Sequence, residues 1–450
     1  MTEYLENKAS LIEWIAAGEK PKDQWRIGTE HEKFGYRPTD FSPLPYDGPD
    51  GIKAMLEGLM DSGWQGKYEG DTLVALTRPK EQGGGSVTLE PGGQLELSGA
   101  PLANIHQTCQ EVGAHLKEVL HLADKLGQAY MGIGYAPNWS VADMPKMPKG
   151  RYDIMTDYMP TRGSRGLEMM YLTATVQVNL DFSSEADMVE KMRIALALQP
   201  IATALFANSP FINGQSMGHV SERSLVWLDT DTERTGNLPF VFDDFGYERY
   251  VDYALDVPMY FVIRDGHFID ATGLSFKDFM AGKLSVLPGE KPTGTDWENH
   301  LTTLFPEARL KRFIEMRGAD SGPRDTFCAL PAFWVGLLYD EATQKKALDM
   351  ISDWTAEERV ALRIDAARQG LKAAFRCGTV LDIARQALDL SRQGLVARAV
   401  TDYEGADETQ YLKPLAAIVE SGCSPAETLV TKLSTDWDGD ITAVYKALTY

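Results

Sequence analysis

The stretch Arg26-Ile27-Gly28-Thr29-Glu30-His31-Glu32-Lys33-Phe34-Gly35-Tyr36 constrains this chain more than any other. It reads as a strand, in which successive side chains point to opposite faces. Glu30 and Glu32 then share one face, with Gly28 beside them. Two carboxylates held about 7 Å apart on one face repel each other unless a cation or a basic side chain compensates. An isolated Glu-x-Glu reads most simply as a solvated edge strand. Here three later strands carry a polar pair of the same parity, which argues for one shared site.

The second pair lies in Thr88 to Ser98, where Leu89, Leu95 and Leu97 alternate with Glu90, Gln94 and Glu96. A continuous strand would hold Glu90 and Glu96 about 20 Å apart, too far for one site. Pro91-Gly92-Gly93 argues against continuity, and a kink there would return both carboxylates to one place. The third pair is Gln177 and Asn179, on a strand expected over Leu172 to Phe182 whose other face carries Val176, Val178 and Leu180. The fourth is Glu315 and Arg317, alternating with Ile314 and Met316. Apolar faces of such strands pack on helices. The expected fold class is therefore α+β, an antiparallel sheet backed by helices with its other face open as a cavity.

Five carboxylates (Glu30, Glu32, Glu90, Glu96 and Glu315) with only amide and guanidinium neighbours would be unstable unless they bound hard cations. Oxygen-only donors suit Mg²⁺, with Mn²⁺ as a substitute, and do not suit zinc. Together with Arg151, Arg223 and Arg317 they point to phosphoryl transfer from ATP onto an anionic acceptor. The segment Met144 to Arg165, read as a loop, adds Lys146, Lys149, Arg162 and Arg165 as a clamp for anions. The triple glycine at 83–85 lacks the rest of a phosphate-binding fingerprint and reads as a flexible loop.

The net charge of −21 over 450 residues argues against a nucleic-acid surface, which would need a basic stripe. No apolar run approaches membrane-spanning length. The acidic start, Met1 to Glu6, has neither the basic, apolar pattern of a signal peptide nor the arginines of a transit peptide, so the expected compartment is the cytoplasm. Cys109, Cys328, Cys377 and Cys423 lie far apart with no Cys-x-x-Cys, which fits a reducing environment. Cys109 falls on the apolar face of a helix expected over 104–126, where it reads as a small core residue. Helices are also expected over 3–18 and 297–305, and a strand over 250–263. After Pro331 the chain reads as helical to its end. The polar pairs span 30–317, so 1–340 is expected to form the catalytic core and 341–450 a helical layer packed on it, not independent of it.

Several stretches resemble the plant and alphaproteobacterial class of glutamate–cysteine ligases. They are Arg26 to Tyr36, Thr88 to Ala100, Pro148-Lys149-Gly150-Arg151-Tyr152-Asp153-Ile154-Met155, Thr175 to Phe182 and Glu315-Met316-Arg317-Gly318-Ala319-Asp320. The similarity runs over most of 20–340. It implies a glutamine-synthetase-like curved antiparallel sheet with helices on its outer face. It also implies ATP- and Mg²⁺-dependent joining of the γ-carboxylate of L-glutamate to L-cysteine through γ-glutamyl phosphate, the first step of glutathione synthesis. By the same resemblance Glu30, Glu32, Glu90, Glu96 and Glu315 hold metal. Arg151 and Arg223 grip a substrate carboxylate or the transferring phosphoryl group, and Tyr260 lines the amino-acid pocket with Gln177 and Asn179. The family further implies glutathione as a feedback inhibitor, and a monomer or homodimer. Cys109 and Cys328 match one regulatory cysteine pair of the plant proteins. Ala271 and Val286 stand in place of the other pair, and with no transit peptide in view a bacterial, cytoplasmic protein is expected.

Three other readings stay open on the residues alone: a ligase of the same fold taking a different amine, a metal-dependent phosphatase or nuclease, and a non-catalytic cation-binding protein. The acidic charge weighs against the nuclease.

Overall fold

The computed structural model describes residues 4–450. Its centre is a sheet of nine strands, antiparallel throughout. In chain order these are β1 (Ile27–Tyr36), β2 (Gln65–Glu69), β3 (Thr72–Thr77), β4 (Ser86–Leu89), β5 (Leu95–Ser98), β6 (Ala129–Met131), β7 (Thr175–Leu180), β8 (Ala308–Leu310) and β9 (Ile314–Asp320). Across the sheet the order is β8-β9-β7-β1-β5-β4-β3-β2, with β6 paired to the far end of β1. β1 is therefore central, not an edge strand. Its second face, Thr29, His31 and Lys33, is buried against helices.

Residues directly opposite each other in a sheet point to the same side. Glu32 lies opposite Glu96, Glu30 opposite Gln177, and Gly28 opposite Asn179. Asn179 in turn lies opposite Glu315, and Glu315 opposite Arg309. One register thus carries the polar pairs of four strands to one face. The other face packs on α3 (Ile105–Leu126), α6 (Glu185–Leu205) and the helix Ala329–Leu338. Asn104 caps α3 through the Gln107 N–H, and Ser184 caps α6 through the Asp187 N–H.

Pro91-Gly92-Gly93 proves to be a hairpin turn. The Glu90 N–H donates to the Gln94 carbonyl at 2.9 Å and the Gly93 N–H to the Glu90 carbonyl at 2.8 Å. Gly93 holds φ +84°, and a Cβ there would lie 2.5 Å from Ile52 Cδ1, so only glycine fits. Because β4 and β5 pair directly, Glu90 and Glu96 end up on neighbouring strand ends.

Other expectations need correcting. Of the helix expected over 3–18, residue 3 lies outside the described residues, and the helix occupies Lys8–Ala16. The first half of the strand expected over 250–263 belongs to the helix Tyr247–Asp256, and only Phe261–Arg264 is strand. Tyr250, Val251, Ala254 and Leu255 recur at helical spacing and are buried, a period that the aromatic content of the segment masked. The basic segment 144–165 contains a helix, Gly150–Tyr158, and the strand expected over 172–182 begins at Thr175 after the helix Gly166–Leu172. The helix expected over 297–305 runs Gly294–Thr302.

The last 110 residues are helical but for short turns and a small hairpin. The helix Val380–Arg398 crosses Ala329–Leu338 at Gly336 and Gly394, where a Cβ on Gly394 would stand 1.8 Å from the Gly336 carbonyl oxygen. No helix among the described residues is long and apolar enough to cross a membrane.

Candidate active site

The polar face of the sheet forms one wall of a cavity with about 970 Å³ of empty space, its open mouth included. Glu30, Glu32, Glu90, Glu96, Gln177 and the four arginines 151, 223, 309 and 317 all line it. Three of the four acids are held by the sheet itself. The Asn179 amide donates to Glu30 at 2.8 Å, and the Thr175 N–H donates to Glu32 at 3.0 Å. Thr88 and Ser98 hydroxyls donate to the two oxygens of Glu96 at 2.9 and 2.5 Å.

Burial is the main cost to these carboxylates. It pushes Glu30 up to about 7, with Glu315 and Glu96 adding repulsion. Burial pushes Glu32 well above the usual range, helped by Glu90 and Glu96, and raises Glu96, helped by Glu90. The acids are thus destabilised as anions by burial and by one another. An all-oxygen donor set in that condition fits a hard divalent cation. Among the described residues no three His, Cys, Asp or Glu side chains are gathered around a single point as they stand. The hydrogen bonds just described turn Glu30, Glu32 and Glu96 toward neighbours on the strands.

Glu315 differs from the other four. It is fully buried and paired with Arg309, Lys311 and Arg317. Burial works against its charge, but Arg309, Lys311 and Arg317 outweigh burial and hold it well below the ordinary carboxylate range. It does not line the cavity, and neither does Asn179, which acts from behind Glu30. Arg317 donates to Glu315 at 3.1 Å and to the Gln177 side-chain oxygen at 2.8 Å, so its guanidinium is set between the two.

Arg151 stands in the first turn of the helix Gly150–Tyr158. The Glu69 carboxylate accepts the Gly150 N–H there at 2.9 Å. Its Nη2 donates to Tyr152 Oη at 2.9 Å, and Tyr152 donates to the Leu89 carbonyl at 2.6 Å. Arg223 lies in a short helix, Glu222–Val226, and donates to the Arg317 carbonyl at 2.8 Å. The Nε atoms of Arg151 and Arg223 are buried without a partner among the described residues. A buried N–H without an acceptor is costly.

The remaining members of the expected clamp are engaged elsewhere. Lys146 pairs with Asp153, Arg162 with Glu233, and Arg165 with Glu168 and Glu222. Lys149 is buried and donates to the Leu89 carbonyl at 2.8 Å. Tyr260 is buried away from the cavity wall, under the Arg234 guanidinium at 3.8 Å, and donates to Met159 Sδ. Its neighbour Phe261 lines the cavity in its place, with Trp227, Phe305 and three methionines. Arg309 was missed in the sequence. The signal was present: a short turn at 311–313 sets 309 opposite 315, as in any tight hairpin.

Cys109 and Cys328 form a disulfide with Cα atoms 5.8 Å apart, tying α3 to the start of Ala329–Leu338. Cys377 and Cys423 are free and exposed.

Comparison with known proteins agrees with this architecture. A Medicago truncatula protein named glutamate–cysteine ligase, chloroplastic, is 54% identical over 445 residues, 98% of this chain and 85% of its own length. A rice (Oryza sativa subsp. japonica) protein named glutamate–cysteine ligase B, chloroplastic, is 54% identical over 452 residues, covering 100% of this chain and 88% of its own. A solved Francisella tularensis glutamate–cysteine ligase in complex with AMP covers 94% of this chain and 88% of its own with a TM-score of 0.56. At 12% identity that match shows a shared fold. The names of the plant relatives overturn the cytoplasmic expectation drawn from residues 1–6, because they point to the plastid. Residues 26–447 match the sequence model of Glutamate-cysteine ligase family 2 (GCS2), and the chain belongs to that family.

Proposed function

We propose that this protein joins the γ-carboxylate of L-glutamate to the amine of L-cysteine at the expense of ATP, giving γ-glutamylcysteine, ADP and phosphate, the first step of glutathione synthesis. One observation carries this reading within the family: four carboxylates and four arginines line a single cavity on the sheet. Acids alone would suit a cation store, and arginines alone an anion pocket. Both together suit the transfer of a phosphoryl group between anions.

The carboxylates of Glu30, Glu32, Glu90 and Glu96 would hold Mg²⁺, or Mn²⁺ in its place. The bound cation would neutralise nucleotide phosphate charge. Glu315, already balanced by three cations, would orient Arg309 and Arg317 and would not bind metal itself. Arg151 and Arg223 line the cavity and would grip a substrate carboxylate or the phosphoryl oxygens. Gln177 fixes Arg317. A glutamate γ-carboxylate oxygen bonds to the γ-phosphorus and ADP leaves. The cysteine nitrogen then bonds to the acyl carbon, its proton is lost, and phosphate departs. The chain's own contribution is position and charge, with no covalent step on the protein. Every residue lining the cavity falls between 30 and 317, which supports reading 1–340 as the catalytic core and 341–450 as its helical layer.

ADP release should require glutamate and MgATP together with an amine. A panel of amines tests the choice of cysteine. Release with cysteine alone supports the proposal, release with another amine assigns a different ligase, and no release with any acceptor ends the ligase reading.

The disulfide joins α3, which backs the sheet, to the segment whose Phe327 stacks on His31 of β1 at 4.6 Å. Reduction would loosen the support directly behind Glu30 and Glu32. Dithiothreitol is therefore expected to lower activity, and Cys109→Ser to abolish that response. Thiol counting on denatured protein should find the bridge in the active form. Four free thiols in fully active enzyme would remove the switch.

A further inference from the structure

Asp320, the last residue of β9, is almost completely buried and does not itself line the cavity. A buried carboxylate costs free energy unless its oxygens are satisfied, so what satisfies it matters. One oxygen accepts the Asn208 N–H at 2.8 Å and the Ser209 hydroxyl at 2.6 Å. The other accepts the Ser221 hydroxyl at 2.9 Å. Ser209 and Ser221 are both fully buried and bridge each other. Gly134 closes the remaining side, for a Cβ there would lie 2.4 Å from Asp320 Cγ.

These two serines are the supports of Arg223. Ser221 caps the short helix Glu222–Val226 through the Ser224 N–H, and Ser209 Oγ accepts the Arg223 N–H at 3.2 Å. The same strand that ends in Asp320 supplies the Arg317 carbonyl that accepts Arg223 Nη2 at 2.8 Å. The start of the Arg223 helix is thus anchored at three points: through Ser209, through Ser221, and at its guanidinium. Two of the three converge on one carboxylate. Five residues of helix have little rigidity of their own, so the direction of Arg223 depends on these outside contacts.

We propose that Asp320 is a positioning residue for Arg223, acting through Ser209 and Ser221 to hold the guanidinium at the angle the reaction uses. This rests on the ligase reading of the cavity. It goes further in naming a residue outside the cavity that sets the geometry of one inside it. A displaced guanidinium loses contact with a group whose position decides the rate.

The test is a double-mutant cycle between Asp320→Asn and Arg223→Lys, read in kcat and in each KM, with melting temperature measured on every variant. Asn keeps the shape but cannot accept from all three donors. Asp320→Asn alone is expected to lower kcat by about tenfold, with Arg223→Lys lowering it at least as much. The double variant should be no slower than Arg223→Lys within about twofold, because the two act through one guanidinium. Ser209→Ala, which breaks one link and keeps the carboxylate, should show the same kcat loss. It serves as the second variant if Asp320→Asn does not fold. Independent, multiplying effects in the cycle would overturn the proposal, as would wild-type kinetics in a folded Asp320→Asn or Ser209→Ala. A wild-type enzyme that releases no ADP with any amine would instead be a failure of the ligase reading, and the two outcomes are distinct.

Discussion

Glu30→Gln is expected to leave the fold intact and to lower kcat by roughly 10²-fold or more, since it removes charge where the reaction needs it. The substitution keeps the shape, and its amide oxygen can still accept from Asn179 at the position Glu30 now occupies. The measurement is kcat across a range of Mg²⁺ concentrations. Activity within about twofold of wild type, far short of the expected loss, would make Glu30 a structural residue only.

The same carboxylate gives a signed pH dependence. Burial, then Glu315 and Glu96, raise it from 4.5 to about 7 in the folded protein. The folded state therefore holds a proton that the unfolded chain has released. Its contribution to stability is complete below about 4.5 and is lost as pH rises through about 7. Without divalent cation the melting temperature should fall between pH 5 and 8, and Glu30→Gln should reduce that fall. Mg²⁺ binding needs the ionised carboxylates, so its stabilising effect should be larger at pH 8 than at pH 6. A metal-free melting temperature that climbs over this interval would contradict the electrostatics described.

The sheet face was readable because parity is strict. Four segments alternated polar with apolar, and a strand has only two faces, so Glu30, Glu32, Glu96, Gln177, Asn179 and Glu315 had to share one if the strands paired. What the alternation could not supply was order and depth. Placing Glu96 opposite Glu32 depends on pairing across β1 and β5, which no local pattern encodes. Depth is why Glu315 reads differently in three dimensions. Its compensation by Arg309 and Lys311 comes from the turn of its own hairpin, while its sequence neighbours show only Arg317. The basic residues 146–165 were overvalued for a related reason. A cluster of positive charges in sequence carries no record of its acidic partners, and Asp153, Glu233 and Glu222 take up three of them. Conversely, Lys33 and His31 on the hidden face of β1 are buried 3.0 Å apart, a placement that their polarity argued against. Tyr260 does not line the cavity, and the ring that does belongs to its neighbour Phe261.

Arg151→Lys is expected to lower kcat/KM by roughly 10²-fold, the cost of removing one positioned donor from an anion that carries reaction charge. The guanidinium is held flat by Tyr152, itself anchored on Leu89, and leaves its Nε pointing at no acceptor among the described residues. A planar fork in that setting grips a carboxylate or phosphate at two points, and an ammonium grips it at one. The loss should appear in the KM of the substrate whose anion Arg151 holds, which assigns that anion among glutamate, cysteine and ATP. A second signature follows from the neighbourhood. Lys149 is buried beside Arg151, and burial together with that guanidinium already lowers it to about 7. At 151 burial also works against the charge, but Tyr152, Glu90 and Glu96 outweigh it and favour the protonated cation. Arginine stays charged across this range. The Arg151→Lys enzyme should therefore keep a constant loss relative to wild type between pH 7 and 9, because the missing fork and not a missing charge is its cause. Kinetics unchanged for all three substrates at every pH would place Arg151 outside the reacting site.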